Sequence, residues 1–267
     1  MQRIKISVLG AGRMGQELIR AVAANPELQL GAVWSRRRPS ANAGTAAGSA
    51  AVSGDLEAVL AACDVAVDFT LPAATPRVLE SVGRSGKPLV CGVSGLGEDI
   101  MARMRATSSS VPLFYDRNMS FGVAVLSDLV RRAGASLGPE FVAEIRETHH
   151  VHKVDAPSGT ALKLGEALAE IRQQDFGSVF RYDESQPGRR TSPDDIVFTV
   201  RREGENPGEH AVVFQSEAEE LQLVHKVRHR RVFAIGALRA ARWLLQQQPG
   251  LYGMRDLAAG GNTGHGR

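Results

Sequence analysis

The chain has 267 residues, with 32 Lys and Arg against 29 Asp and Glu, for a formal net charge of +3. Charged residues at 23% and hydrophobic ones at 43% belong to a folded globular protein and exclude a disordered or collagen-like chain. The length suits one large domain or two moderate ones, and so small a positive excess gives no ground of its own for a nucleic-acid or membrane partner.

Up to about residue 118 the pattern is a short apolar run, a turn and a helical stretch, repeated. The apolar runs are Ile4–Leu9, Leu28–Trp34, Asp64–Phe69, Pro88–Val93 and Pro112–Tyr115. They are brief and nearly continuous, as strands buried on both faces of a parallel sheet are. Helices are predicted between them at Arg13–Ala24, with Met14, Leu18 and Val22 on one face, at Asp55–Ala62, and at Pro72–Gly83 with proline at the first position. This alternation predicts an α/β fold, a doubly wound parallel sheet of Rossmann type. Cys63 and Cys91 stand in apolar surroundings and read as buried thiols of a reducing compartment.

After about residue 120 the pattern changes. Gly122–Leu137 reads as a helix. Phe141–His150 alternates Phe141, Ala143 and Ile145 with Val142, Glu144 and Arg146, the period of a half-buried strand. A helix follows at Thr160–Arg172. Strands are predicted at Asp195–Arg202, His210–Ser216 and Glu220–Val227, with a last helix at Val232–Gln246. Consecutive strands joined by short turns predict a second, α+β domain with a mixed or antiparallel sheet. The segment Asp183–Asp194, rich in Pro, Gly, Ser and Arg, reads as a mobile loop. The N-terminal apolar run is too short for a secretion signal, and none approaches the ~20 residues that span a bilayer. A cytoplasmic protein without a membrane partner is expected.

Gly10, Gly12 and Gly15 spell G-x-G-x-x-G after a predicted strand and at the start of a predicted helix. The first allows a tight turn, the second lets backbone approach a pyrophosphate, and the third permits close helix–strand contact, with the anion on the helix N-terminus. A dinucleotide is the expected ligand. The position twenty residues after Gly15 is Ser35, followed by Arg36, Arg37 and Arg38. An NAD site places a carboxylate here to meet the ribose 2′-hydroxyl. A hydroxyl and guanidinium groups instead suit a 2′-phosphate. NADPH is the expected cofactor, with NADH as the second choice; the bland alternative is a solvated basic loop.

The segment from Glu147 to Thr160 holds His149, His150, His152, Lys153, Asp155 and Ser158-Gly159-Thr160. It ends a strand and opens a helix with a capping hydroxyl and a glycine, so free N–H groups and Lys153 can cradle a carboxylate while a histidine supplies a proton. A metal site through His150 and His152 is the weaker reading, since no Cys accompanies them and Lys153 opposes a cation. A plain helix cap with surface histidines is the other. Cys91-Gly92-Val93-Ser94-Gly95 and Asn118-Met119-Ser120 follow the fourth and fifth strands on the carboxyl edge, where ligands bind in open α/β sheets.

These residues resemble the dihydrodipicolinate reductase (4-hydroxy-tetrahydrodipicolinate reductase) family of bacterial diaminopimelate and lysine biosynthesis. The resemblance rests on Gly10-Ala11-Gly12-Arg13-Met14-Gly15, Asp68-Phe69-Thr70 with Pro72, Gly92 with Ser94-Gly95, and Asn118 with Ser120. Above all it rests on His149-His150 with His152-Lys153-Val154-Asp155-Ala156-Pro157-Ser158-Gly159-Thr160. Gly208-Glu209-His210 and His225-Lys226 also fit. The likeness covers nearly the whole chain, and its His/Lys segment is the most specific part.

The resemblance implies NAD(P)H-dependent reduction of a cyclic imine dicarboxylate to tetrahydrodipicolinate. It implies a dinucleotide-binding domain at 1–119 and 231–267, and a substrate-binding and oligomerisation domain at 120–230 that builds a homotetramer. His149 is implied as the proton donor and acceptor and Lys153 as the second essential group. His150, Lys153, Ser158, Gly159, Thr160 and Ser94 would hold the carboxylates. Gly10, Ala11, Gly12, Arg13, Met14, Gly15, Ser35, Arg36, Phe69, Thr70, Gly92, Val93, Ser94, Asp116, Arg117, Asn118 and Met119 would line the cofactor. No metal is implied.

Five positions depart from the family pattern: Val93-Ser94 for a Thr pair, Met119 for Phe, Leu71 for a frequent Arg, and Ser35 for a frequent acid. A reductase of another imine or oxo acid, and a non-catalytic NADP-binding sensor, are the competing readings. Binding of nucleic acid through Arg228-His229-Arg230-Arg231 is remote.

Overall fold

The structure, a computed structural model, describes residues 2–35, 51–186 and 188–260. It divides into two compact units. One takes the chain through Phe121 and again from Arg230; the other is Gly122–His229.

The first unit is built on strands β1 (Ile4–Leu9), β2 (Leu28–Trp34), β3 (Ala51–Ser53), β4 (Val65–Asp68), β5 (Leu89–Cys91), β6 (Pro112–Tyr115) and β12 (Gly250–Tyr252). Their order is β12-β6-β5-β4-β1-β2-β3, and every pairing is parallel. Helices α1 (Arg13–Ala23), α2 (Leu56–Ala61), α3 (Thr75–Ser85) and α4 (Glu98–Ser108) connect the strands, and α8 (Arg231–Leu244) and α9 (Met254–Gly260) complete the unit. One face buries Leu56, Val59 and Leu60 of α2, Val78, Leu79 and Val82 of α3, and Met104 of α4 with the sheet. On the opposite side α8 packs against α1 and against β4, β5 and β6. Each fully buried Leu or Val contributes roughly 1.5–3 kcal/mol.

Local chemistry explains several element ends. Asp55 caps α2, its carboxylate accepting from Glu57 N and Ala58 N at 3.0 and 3.3 Å. The helix expected from Pro72 begins as a short 3-10 turn, Pro72–Ala74, and becomes α3 at Thr75. Gly86 ends it at φ 64, the left-handed conformation that a glycine adopts without strain. The short strands β3 and β12, helix α4 and helix α9 are not among the elements predicted from sequence, so Val232–Gln246 is not the last helix as expected: α9 follows it at Met254–Gly260. Three-residue strands carry no measurable period, and α4 buries only Met104 and Ser108, so its apolar stripe is too thin to see.

The second unit carries β7 (Val142–His149), β8 (Phe180–Tyr182), β9 (Ile196–Arg202), β10 (Glu209–Gln215) and β11 (Glu220–Lys226) in the order β11-β10-β7-β9-β8. β10 runs antiparallel to β7 and β11, whereas β7, β9 and β8 are mutually parallel, so the sheet is mixed. Helices α5 (Phe121–Ser136) and α6 (Gly159–Ile171) supply Leu126, Val130, Ala161, Leu164 and Leu168 to a core with Ala143, Ile145, Phe198, Val212 and Phe214. A short helix, α7 (Phe176–Val179), leads into β8. The Pro/Gly/Arg-rich segment before β9 is tied to Asp195, whose carboxylate accepts from Thr191 N, Thr191 Oγ1 and Ser192 N at 2.6–2.8 Å.

Candidate active site

Within the first unit, the predicted cofactor residues come from loops on one carboxyl edge of the sheet. Gly10 follows β1, Ser35 follows β2, Phe69 and Thr70 follow β4, Gly92, Val93 and Ser94 follow β5, and Asp116, Arg117, Asn118 and Met119 follow β6. The glycine loop has the shape its sequence implied. Gly10 sits at φ +99, and a Cβ there would lie 3.0 Å from the Phe69 carbonyl oxygen. A Cβ on Gly15 would meet Gly10 O at 1.9 Å, which only glycine avoids. At Gly12 nothing stands within 4 Å of that position, so the backbone is open to a ligand. Gly12 is the N-cap of α1 without a side-chain cap, and the first turn of α1 has no acidic residue. A helix start with uncapped amides and no competing carboxylate fits a pyrophosphate.

Other positions on this edge have structural work of their own. Asp116 accepts from Asn118 N at 3.2 Å and Met254 N at 3.3 Å, and Asn118 Oδ1 accepts from Ser120 N at 2.9 Å. Met119 is buried, and its carbonyl lies where a Cβ on Gly236 of α8 would stand. Arg117 and Ser94 are exposed. Leu71, where the family frequently has Arg, is an exposed apolar side chain. Asp68 is fully buried, and burial pushes its carboxyl up to about 6. Ser35 donates its amide to Ser53 O at 3.1 Å. Arg36, with Arg37 and Arg38, lies outside the described residues.

In the second unit the decisive element is β7. Its inward positions run Ala143, Ile145, Glu147, His149: the period of two is kept while the chemistry changes from aliphatic to ionisable. Neighbouring strands complete the cluster by register. Glu147 stands opposite His210 of β10, and His149 opposite Arg202 of β9.

The Glu147 carboxylate accepts from Ser158 N at 3.1 and 3.2 Å and pairs with Arg202 at 3.3 Å. It lies 3.7 Å from both His149 Nδ1 and His210 Nε2. The two imidazoles meet edge to face with centroids 5.0 Å apart. Ser158 caps α6, its hydroxyl accepting from Ala161 N at 3.2 Å and lying 3.2 Å from His210 Nε2. The capping reading of Ser158 is therefore realised, and its side chain is buried. At Gly159 nothing stands within 4 Å of a Cβ position, so the start of α6 is open there.

Lys153 Nζ lies 2.6 and 2.7 Å from the two oxygens of Asp155, and Arg202 donates to the carbonyls of Lys153 and Asp155 at 3.2 and 2.6 Å. The loop between β7 and α6 is thereby held by β9. His150 is half-buried, while His152 is exposed and pairs with Glu205 at 3.3 Å. Burial, then the Lys153 and Arg202 charges, pull His149 down to about 4. Burial, then His149 and His225, pull His210 down to about 3.

The three-residue cluster with metal-ligand character among the described residues is Glu147, His149 and His210, whose ligand atoms lie within 4.8 Å of one another, not the His150/His152 pair weighed from sequence. A cation there would face Arg202 and a carboxylate already engaged by Ser158 N–H, a poor donor set. Nothing in the local sequence marks Arg202 as a site residue. Its one local signal is its place at the end of the strand predicted at Asp195–Arg202.

Models of the two halves of dihydrodipicolinate reductase match the chain, the N-terminal one over residues 4–119 and the C-terminal one over residues 122–258. The chain belongs to the dihydrodipicolinate reductase family. It is 39% identical over 263 residues to the 4-hydroxy-tetrahydrodipicolinate reductase of Pseudoalteromonas translucida, covering 96% of this chain and 98% of that one. It is 41% identical over 262 residues to the enzyme of the same name from Alkalilimnicola ehrlichii, covering 95% and 98%. Among solved structures, a dipicolinate-bound dihydrodipicolinate reductase from Paenisporosarcina sp. TG-14 superposes with a TM-score of 0.78 at 22% identity, covering 96% of this chain and 99% of that one. The chain is thus an NAD(P)H-dependent oxidoreductase of this family, with the family's fold.

Proposed function

We propose that this chain reduces 4-hydroxy-tetrahydrodipicolinate (dihydrodipicolinate) to tetrahydrodipicolinate in diaminopimelate and lysine biosynthesis. The observation that carries the reading is the clustering of His149, Lys153 and the open N-terminus of α6 around one loop, in a chain of this family. The substrate is a small ring with two carboxylates. Lys153 and His150 would take one, and the amides of Gly159 and Thr160, assisted by Ser94, the other. Ser158 serves chiefly by holding the helix start in place.

The residues of 1–119 and 231–267 would hold the dinucleotide, and those of 120–230 the substrate and the contacts of a homotetramer. The glycine loop from Gly10 to Gly15 would take the pyrophosphate, and the loops after β4, β5 and β6 would border the nicotinamide. When bound, the nicotinamide supplies a hydride. NADPH is the preferred form, because Ser35 stands where an NAD site has a carboxylate. A reducing cytoplasm suits the two buried free thiols.

The protein's part is electrostatic. Hydride addition to a conjugated imine leaves negative charge, which Lys153 and a helix N-terminus stabilise. His149, pulled down to about 4 by burial and by the Lys153 and Arg202 charges, is neutral at pH 7. A dianionic substrate favours the imidazolium, so His149 gains its proton as the substrate arrives and is then a donor. The test is oxidation of NADPH by the purified protein with freshly generated substrate, and competitive inhibition by pyridine-2,6-dicarboxylate. Cofactor binding without turnover would remove the enzyme assignment. Turnover without inhibition would point to another imine acid.

A further inference from the structure

A carboxylate with 1% side-chain exposure, in line with Ala143 and Ile145 of a hydrophobic core, is costly unless it is well paired. Glu147 has two direct partners, Ser158 N–H and Arg202. Its oxygen Oε2 also faces His149 Nδ1 at 3.7 Å, roughly half an ångström to an ångström beyond an ordinary N–H···O bond. His149 Nδ1 is itself buried and makes no hydrogen bond. The other ring nitrogen, Nε2, faces Gly208: a Cβ there would lie 3.2 Å from it. Gly208 is at φ +139, so the side of the ring away from Glu147 is kept clear by a residue that has no side chain.

From this geometry we propose that Glu147 is a positioning residue for His149. It fixes the neutral imidazole as the Nδ1–H tautomer and serves as counter-charge to the imidazolium, so that the proton exchanged with substrate is the one on Nε2. The reason is elementary. A lone pair on Nδ1 pointing at a carboxylate is repelled, whereas an N–H is attracted. The same logic orients catalytic and metal-binding histidines through a carboxylate on the far nitrogen.

Ionisable groups face His149 from every element packed against it. Glu147 lies on its own strand, Arg202 on β9, His210 on β10 with His225 beyond it on β11, and Lys153, Asp155 and His150 on the loop that follows β7. Lys153, Arg202 and the neighbouring histidines disfavour the imidazolium. Asp155 favours it, but its carboxylate is held by Lys153. Glu147 is the buried carboxylate within reach of the ring, so its charge is the one that decides the tautomer.

Nitrogen NMR of 15N-histidine-labelled protein reads the tautomer directly and needs no turnover. Wild-type His149, assigned by comparison with His149→Gln, is expected as the Nδ1–H form. Glu147→Gln should lose that preference and shift the imidazole titration to lower pH by about one unit or more; Glu147→Asp, which keeps the charge, should retain part of both effects. In the kinetic arm, which alone rests on the proposed reduction, the alkaline limb of kcat should move to lower pH by a similar amount in Glu147→Gln. An Nε2–H tautomer in the wild-type protein would overturn the assignment, and needs no variant to fold. So would a Glu147→Gln protein that is less active with its tautomer and titration unchanged, since that is the result of a purely structural role. An Nδ1–H tautomer in a protein that does not reduce the substrate would uphold the positioning of His149 by Glu147 and remove the function, with the proton exchange at Nε2 that rests on it.

Discussion

Lys153 and Asp155 form a two-oxygen ion pair, Nζ lying 2.6 and 2.7 Å from the carboxylate. The ammonium proposed to receive a substrate carboxylate is thus already held by a carboxylate of the same loop. Asp155 is exposed, so the pair is screened and exchangeable. Lys153→Ala should lower kcat/KM by about 100-fold or more, a loss of roughly 2.7 kcal/mol of transition-state stabilisation, with the Kd for NADPH unchanged. Asp155→Asn should lower the KM for the dicarboxylate by freeing the amine. Steady-state kinetics and cofactor titration check both. Equal loss of cofactor affinity in Lys153→Ala would contradict its place with the substrate.

Ser35 follows β2, and in the proposed cofactor site it takes the place where an NAD site has a carboxylate. Ser35→Glu should move the NADPH/NADH ratio of kcat/KM toward NADH by at least tenfold, by placing a negative charge against a 2′-phosphate. An unchanged ratio would show that the 2′-position is read elsewhere.

Binding of a dicarboxylate inhibitor should take up a proton near neutral pH. His149 is pulled down to about 4 by burial, Lys153 and Arg202, and two added negative charges push it up again. Calorimetry in buffers of different ionisation enthalpy reads the uptake. His149→Gln should abolish most of it, and uptake that persists in that variant would assign the proton to another group.

Stability should fall as the medium is acidified below about pH 6.5. His149, His210 and His225 are all depressed in the folded protein from 6.5, the first two to about 4 and about 3. A depressed histidine is neutral when folded, so below 6.5 the unfolded chain binds more protons and is favoured; the loss ends once the pH has passed through the folded values. Asp68 acts in the opposite sense, because it is raised from 3.8 to about 6 and the folded state takes its proton first in that window. Three histidines outweigh one carboxyl, so the net slope is positive in pH. Urea midpoints across this range check it, and His210→Asn should flatten the slope. A midpoint that rises on acidification would refute the account.

Gly208 lies at φ +139 with His149 Nε2 where a Cβ would crowd it. Gly208→Ala should cost about 1–3 kcal/mol of stability from backbone strain and, in addition, reduce kcat by obstructing Nε2. Thermal melts and kinetics separate the two. Full activity in a destabilised variant would mean that the reacting face of the ring lies elsewhere.

Much of this protein is written in local pattern. The glycine spacing from Gly10 to Gly15, the period of two along Phe141–Ile145 and the density of His149, His150, His152 and Lys153 are readable within a dozen residues each. They were enough for the α/β class, a second sheet that was either mixed or antiparallel, and the family resemblance; the strand pairings decided that this sheet is mixed. What local pattern does not contain is register. Glu147 looks from sequence like one more acid before the histidines. It becomes a buried carboxylate only because β10 and β9 pair with β7 so that His210 faces it and Arg202 stands beside His149, partners 63 and 53 positions apart along the chain. Periodicity is set by the backbone of one strand. Which ionisable groups share a desolvated site is set by the pairing of several, and only folding brings those together.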